Sequence, residues 1–199
     1  MPQELVLEND AVLLRTLQSD DFTNLLPFAL QEPDTWRFSL VSAAGEAGMQ
    51  HYIDTAIKER EACYSYPFIV WDKKTGQYAG CTRFYDINSA FKTLQLGYTW
   101  YGERFRGTGL NKNCKFLLLQ YAFETLGVER VEFRADNNNK KSVAAMVSIG
   151  CTIEGVLRSN MPNGEGQPGR RDSIILSILK NEWFGGVKEK LAIKIALVP

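Results

Sequence analysis

Two periodicities alternate along this chain. Residues 12–17, Val12-Leu13-Leu14-Arg15-Thr16-Leu17, read as a first strand, and residues 66–71, 77–87 and 93–101 as three more. The turn residues Asp72-Lys73-Lys74-Thr75-Gly76 and Asn88-Ser89 separate them. Between the first two strands the period becomes helical. Ser19 is a suitable N-cap for a helix through Ala29, Pro33 interrupts, and residues 35–38 form a loop or short helix. Residues 46–62 then place Met49, Tyr52, Ile53 and Ala56 on one side of a second helix. The clearest helix covers residues 110–126, with Leu110, Cys114, Leu117, Leu118, Tyr121 and Ala122 along one face and Gly127 at its end. A strand over 128–135, a helix capped by Asn139 and stopped at Gly150, and strands over 152–157 and 172–179 follow, the last two joined by a turn at 163–169. Residues 188–199 read as a short helical tail with an apolar end. The order predicts a mixed α/β domain. The helix between the strands at 93–101 and 128–135 is a crossover, so those two strands are parallel; the hairpins toward the chain ends are antiparallel.

The crossover begins with Arg104-Phe105-Arg106-Gly107-Thr108-Gly109-Leu110-Asn111. A strand, a short basic glycine loop and a helix make a device for holding phosphate. The glycines let a ligand approach the backbone, and the first amides of the helix have no partner within it. A nucleotide-binding Walker loop is disfavoured, because Gly109 is followed by Leu110 and Asn111 and not by Lys-Ser/Thr.

Composition narrows the picture. The 199 residues suit one domain over residues 1–199, with a core at about 12–183 and a short C-terminal tail. Lys plus Arg and Asp plus Glu number 23 each, which leaves no broad basic field for nucleic acid. Cys63, Cys81, Cys114 and Cys151 form no CxxC pair, so they read as reduced thiols, not as a metal site or disulfide framework. The start lacks a signal-peptide pattern and no apolar run approaches a membrane span, so a cytoplasmic protein with no membrane partner is expected. The single histidine, His51, sits in a helical pattern and reads as a surface or hydrogen-bond-satisfied residue.

Residues 104–109 fit the R/Q-x-x-G-x-G/A loop of the GNAT acetyltransferase superfamily. The segment Tyr121-Ala122-Phe123-Glu124-Thr125-Leu126-Gly127, followed by Val128-Glu129-Arg130-Val131, resembles its RimJ/RimL-like branch. So do Asn139-Lys140-Lys141-Ser142, Ser148-Ile149-Gly150-Cys151 and Glu154-Gly155-Val156-Leu157-Arg158, all in family order from about Val12 to Trp183. The resemblance implies a GNAT fold: a mixed, twisted sheet of about seven strands splayed between the fourth and fifth and flanked by about four helices. Acetyl-CoA would lie in the splay. Its pyrophosphate would meet the loop formed by Arg104, Phe105, Arg106, Gly107, Thr108, Gly109, Leu110 and Asn111. Its pantetheine arm would run beside Thr99, Trp100 and Tyr101, with Asn139 and Ser142 opposite. The family also implies a primary-amine acceptor, peptide or small molecule, no metal, and a homodimer.

Acetyl transfer to an amine needs a base, an oxyanion donor and a proton for the thiolate. Backbone N–H groups near Trp100 and Tyr101 are the expected oxyanion donors. Many relatives carry a tyrosine acid where this chain has Met146, so Ser142 is the substitute candidate. No base stands out: Glu32, Asp34, Asp86, Glu103 and Asp172 are candidates, each also readable as a solvated carboxylate. Glu32, Trp36, Tyr85 and Asp86 are the candidate acceptor-side residues, although Trp36 and Phe38 read first as packing residues. Asn139 is explained as well by capping as by a cofactor contact. The competing function is a CoA-binding sensor or scaffold without turnover, motivated by Met146 and the missing base.

Overall fold

The computed structural model describes residues 4–164 and 168–197. Readings placed on residues 1–3, on 165–167 within the turn, and on 198–199 lie outside the described residues. The strands are β1 (Val6–Glu8), β2 (Val12–Thr16), β3 (Ser65–Asp72), β4 (Gln77–Asn88), β5 (Thr93–Tyr101), β6 (Arg130–Asp136), β7 (Thr152–Pro162) and β8 (Arg170–Leu179). The helices are α1 (Phe22–Gln31), α2 (Gly45–Glu61), α3 (Leu110–Gln120), α4 (Lys140–Ser148), the single turn α5 (Lys180–Glu182) and α6 (Lys188–Ala196). The strands form one sheet in the order β1-β2-β3-β4-β5-β6-β8-β7. All pairings are antiparallel except β5 with β6, where the crossover demands parallel strands.

Consecutive residues of β5 sort the helices onto two faces. Trp100 packs on Phe28 of α1 and Tyr52 of α2, at ring-centroid distances of 5.6 and 6.3 Å. Its neighbour Thr99 points the other way, to Lys115 of α3. Helices on both faces explain why β3 is a near-continuous apolar run, with Tyr66, Phe68, Ile69 and Val70 all buried.

Two irregularities shape the centre. First, β5 and β6 pair only at Thr93↔Arg130, Leu94↔Val131 and Gln95↔Glu132. Beyond Gln95 they part, and β6 continues along β8 from Arg130 to Asp136. This is the splay. Second, β4 pairs with β5 at Cys81↔Trp100 and at Arg83↔Gly97, so Thr82 alone faces both Tyr98 and Thr99. That is a β-bulge, and Tyr98 sits in it at φ 49°. A bulge bends its strand, and this one lies on the part of β5 that leaves β6.

The structure corrects several sequence expectations. There are eight strands among the described residues, not about seven, because the three-residue β1 is too short to show a periodicity. Five helices have nine or more residues, not about four, the fifth being α6 in the tail. Ser19 does not cap α1. Ser19–Asp21 is a 3-10 turn, closed by the Asp21 carboxylate accepting from the Gln18 N–H at 2.9 Å, and α1 runs on to Gln31. α3 stops at Gln120 and widens into a π-helical turn, Tyr121–Thr125. β6 begins at Arg130, since Gly127 turns the chain at φ 68° and Val128 belongs to the connection. The C-terminal hairpin is longer than its apolar run: β7 reaches Pro162 through polar residues held by backbone pairing to β8.

Candidate functional site

The glycine loop lies at the open end of β5. Gly107 and Gly109 adopt φ of 78° and 89°, left-handed values that glycine holds without strain. The 3-10 turn Glu103–Phe105 precedes them, and the Thr108 hydroxyl donates to the Phe105 carbonyl at 2.8 Å. The first amide bonded into α3 is that of Asn113, to the Gly109 carbonyl at 3.2 Å, so those of Leu110, Asn111 and Lys112 precede the helical ladder. A β-carbon built on Gly107 meets no protein atom within 4 Å. The loop therefore presents backbone to open space at the positive end of a helix, which fits a diphosphate.

The two arginines divide. The Arg104 guanidinium lies over the Phe105 ring at 4.7 Å, and its side chain is exposed. Arg106 is turned back into the protein: Nε donates to the Tyr101 carbonyl at 2.9 Å and Nη2 to the Thr35 hydroxyl at 2.8 Å, with Glu32 and Glu103 each 4.0 Å away. It ties the glycine loop to the turn Pro33–Trp36. Glu32 does the same from the other side, its carboxylate accepting from the Glu103 N–H at 2.8 Å.

The bulge is gripped from both faces by buried cations. On the α1–α2 face the Arg83 guanidinium is 4.1 Å from the centre of the Tyr98 ring and 5.1 Å from that of Tyr52, and Nη1 pairs with Glu59 at 2.8 Å. On the α3 face Lys115, 4% exposed, donates from Nζ to Thr82 Oγ1 at 3.0 Å and to Thr99 Oγ1 at 2.6 Å. The two hydroxyls are themselves 2.8 Å apart. The ammonium forms no ion pair among the described residues, and burial lowers its pKa to about 8. Burial pushes the nearby Cys114 and Cys151 thiols up to about 12, so they stay neutral around it.

The other expected residues spread over both faces. Asn139 caps α4, its side-chain oxygen accepting from the Ser142 N–H at 3.1 Å. Met146 is buried, and its carbonyl accepts from the Cys151 N–H at 3.2 Å. Trp36 is buried edge-on to Trp100, ring centroids 5.1 Å apart. Tyr85 packs against Tyr98 at 5.0 Å, and burial raises its pKa. Asp86 is exposed at φ 47°. Asp172 is exposed and accepts from the Ser159 N–H at 2.7 Å, a hairpin contact. His51 is exposed on α2, and Cys81, Cys114 and Cys151 are buried free thiols. A cavity of about 400 Å³ opens on the Trp36 side, between residues 33–42, the end of β6 and the β7–β8 turn; Asp34, Phe38, Asp136 and Asn163 line it. Sequence reading missed Lys115, Arg83 and Asp136. Only Lys115 left a trace: it lies three and four residues before the buried Leu118 and Leu119, on the flank of the apolar stripe.

The family model described as "Acetyltransferase (GNAT) domain" matches residues 11–152, and the chain belongs to this family of acetyl-CoA-dependent acetyltransferases. A crystal structure of an inferred acetyltransferase from T. thermophilus is 30% identical, with a TM-score of 0.84, covering 98% of this chain and 97% of that one. YdaF of Bacillus subtilis (strain 168), an inferred ribosomal N-acetyltransferase, is 26% identical over 89% of this chain and 96% of its own. Mycobacterium smegmatis RimJ, solved in complex with CoA-disulfide, shares the fold with a TM-score of 0.79 at 17% identity, over 96% of this chain and 93% of that one. The family match bears out the GNAT resemblance, and YdaF is the relative whose name is in keeping with the RimJ/RimL-like branch. No helix among the described residues is long and apolar enough to cross a membrane.

Proposed function

We propose that the chain transfers the acetyl group of acetyl-CoA to a primary amine by direct attack on the thioester. One observation carries the reading: a free strand edge, a strained bulge and an uncapped helix start lie in succession along β5 and α3, beside the splay. The amides from Gly107 to Asn111 would hold the pyrophosphate, that of Arg106 being taken by the Glu103 carbonyl, with exposed Arg104 adding charge. The edge of β5 at Thr99 and Tyr101 has lost its β6 neighbour; Arg106 takes the Tyr101 carbonyl, and the remaining outward backbone groups would serve the pantetheine amides. Acetyl-CoA supplies an activated acyl group. The protein's part is to aim it into the gap and offer a backbone N–H at the bulge to the oxyanion.

The acceptor enters on the α1–α2 face, through the cavity bearing Asp34 and Asp136. Two carboxylates at its wall favour a cationic amine or a basic peptide N-terminus, in keeping with YdaF's name. Incubation with acetyl-CoA and a panel of amines, including basic peptides with free N-termini, should release free thiol and yield a product heavier by one acetyl group. Binding of CoA with no thiol released from any panel member would favour the sensor or scaffold reading.

A further inference from the structure

We propose that Lys115, acting through the Thr99 hydroxyl, supplies the proton that the departing CoA thiolate takes, a task for which the Met146 position offers no donor. The proposal rests on the acetyl-transfer reading above, which lays the cofactor along the free edge of β5.

Burying an ammonium without a counter-charge is costly. Lys115 is such a group. It is nearly inaccessible, forms no ion pair among the described residues, and spends two of its three N–H donors on hydroxyls. The hydroxyls differ in setting. Thr82 is wholly buried, while Thr99 is partly exposed on the stretch of β5 that has parted from β6. Thr82 Oγ1, Lys115 Nζ and Thr99 Oγ1 thus form a closed triangle, with Thr99 its one partly exposed corner. The titratable groups facing the ammonium are the Cys114 thiol on α3 and the Cys151 thiol ahead of β7, both held neutral by burial. Cys151 also ties this region to α4 through the Met146 carbonyl. A lysine whose pKa is lowered to about 8 is a competent donor near neutral pH.

The step balances. The acceptor nitrogen bonds to the acetyl carbon, the carbon–sulfur bond breaks, and its electron pair leaves on sulfur. Sulfur takes the Thr99 Oγ1 proton, and Thr99 recovers one from Lys115 Nζ. The neutral lysine is reprotonated from solvent, which has received the proton lost by the acceptor amine. Thr99 is then the catalytic residue and Lys115 a positioning residue.

The test needs no acceptor. The ionisation of CoA's thiol is measured in the complex from the ultraviolet absorbance of the thiolate as pH is varied, alongside calorimetric CoA binding. A nearby ammonium stabilises the thiolate, so Lys115→Met should lower the thiol's ionisation constant about tenfold or more relative to the unmodified protein. Equal ionisation in Lys115→Met and the unmodified protein overturns the proposal and leaves Lys115 as a pin for the bulge. If Lys115→Met does not fold, Thr99→Val against Thr99→Ser makes the same comparison: the valine variant should lose the effect and the serine variant keep it, and equal values overturn the proposal. Failure of the unmodified protein to bind CoA is a different result, since it removes the acetyl-transfer reading and this proposal together.

Discussion

Replacing Gly107 with alanine separates the cost of a substitution to the fold from its cost to the ligand. The added methyl meets no protein atom within 4 Å, so packing gives no reason for a stability loss. What remains is backbone strain. At φ 78° an alanine is in the left-handed region, which costs roughly 1–2 kcal/mol. Reduced freedom of the unfolded chain offsets about 0.4–1 kcal/mol of that. The net destabilisation is on the order of 1 kcal/mol, a fall in Tm of about 2–4 °C for a chain of this length. Ligand binding should suffer more. The methyl occupies the open side of the loop, where a phosphate oxygen must approach the amides, and losing one charge-assisted hydrogen bond there costs about 1.5–3 kcal/mol. Thermal denaturation followed by circular dichroism gives the first quantity, and calorimetric titration with CoA gives the second. The expected pattern is a small Tm shift with CoA affinity reduced by about tenfold or more. A normal affinity beside the expected Tm shift would refute the placement of the diphosphate against this loop.

Gly80→Ala should behave in the opposite way. Its β-carbon would stand 2.1 Å from the Trp100 carbonyl oxygen and 2.9 Å from the Tyr101 Cα, so β4 and β5 must separate where Gly80 pairs with Tyr101, next to the bulge. A loss of more than about 2 kcal/mol in urea denaturation is expected, and unchanged stability would contradict the register described for this pair. Reversing charge at both Asp34 and Asp136 should raise KM for a basic peptide amine while leaving KM for acetyl-CoA unchanged; equal effects on both would place the acceptor elsewhere. Glu154 carries an acid-stability signature. Arg130, with a further hydrogen bond from Ser177, lowers its pKa from 4.5 to about 2. Because the folded-state value is depressed, its stabilising contribution is complete above about pH 4.5 and is lost as pH falls toward 2. Urea midpoints measured across that window should fall less steeply in Glu154→Gln than in the unmodified protein.

The strands and helices that the sequence revealed are those whose burial follows a simple period. β3 is a run of apolar residues because both its faces are covered, and α3 shows its stripe because one side packs on the sheet. The elements that were missed or misplaced rest on something else. β1 is held by pairing to β2, the polar end of β7 by pairing to β8, and the start of α1 by the Asp21 carboxylate reaching back to Gln18. The first two depend on the strand lying opposite and the third on a single side-chain-to-backbone bond, and a periodicity carries neither.

The site divides along the same line. The glycine loop proposed to hold phosphate stood out because its features are local: two glycines, neighbouring arginines and a helix start are contiguous in the chain, and backbone amides need no distant partner. The splay, the bulge at Tyr98 and the cavity between Trp36 and Asp136 come from segments far apart in sequence that meet only when the sheet closes. Lys115 marks the boundary most sharply. In the sequence it is one more cation on an amphipathic helix. Thr82 and Thr99, 33 and 16 residues away, are what make it a buried ammonium at the edge of the gap. A lysine's charge belongs to its side chain, but its exposure to water, and therefore its acidity, is set by the neighbours that tertiary packing brings to it.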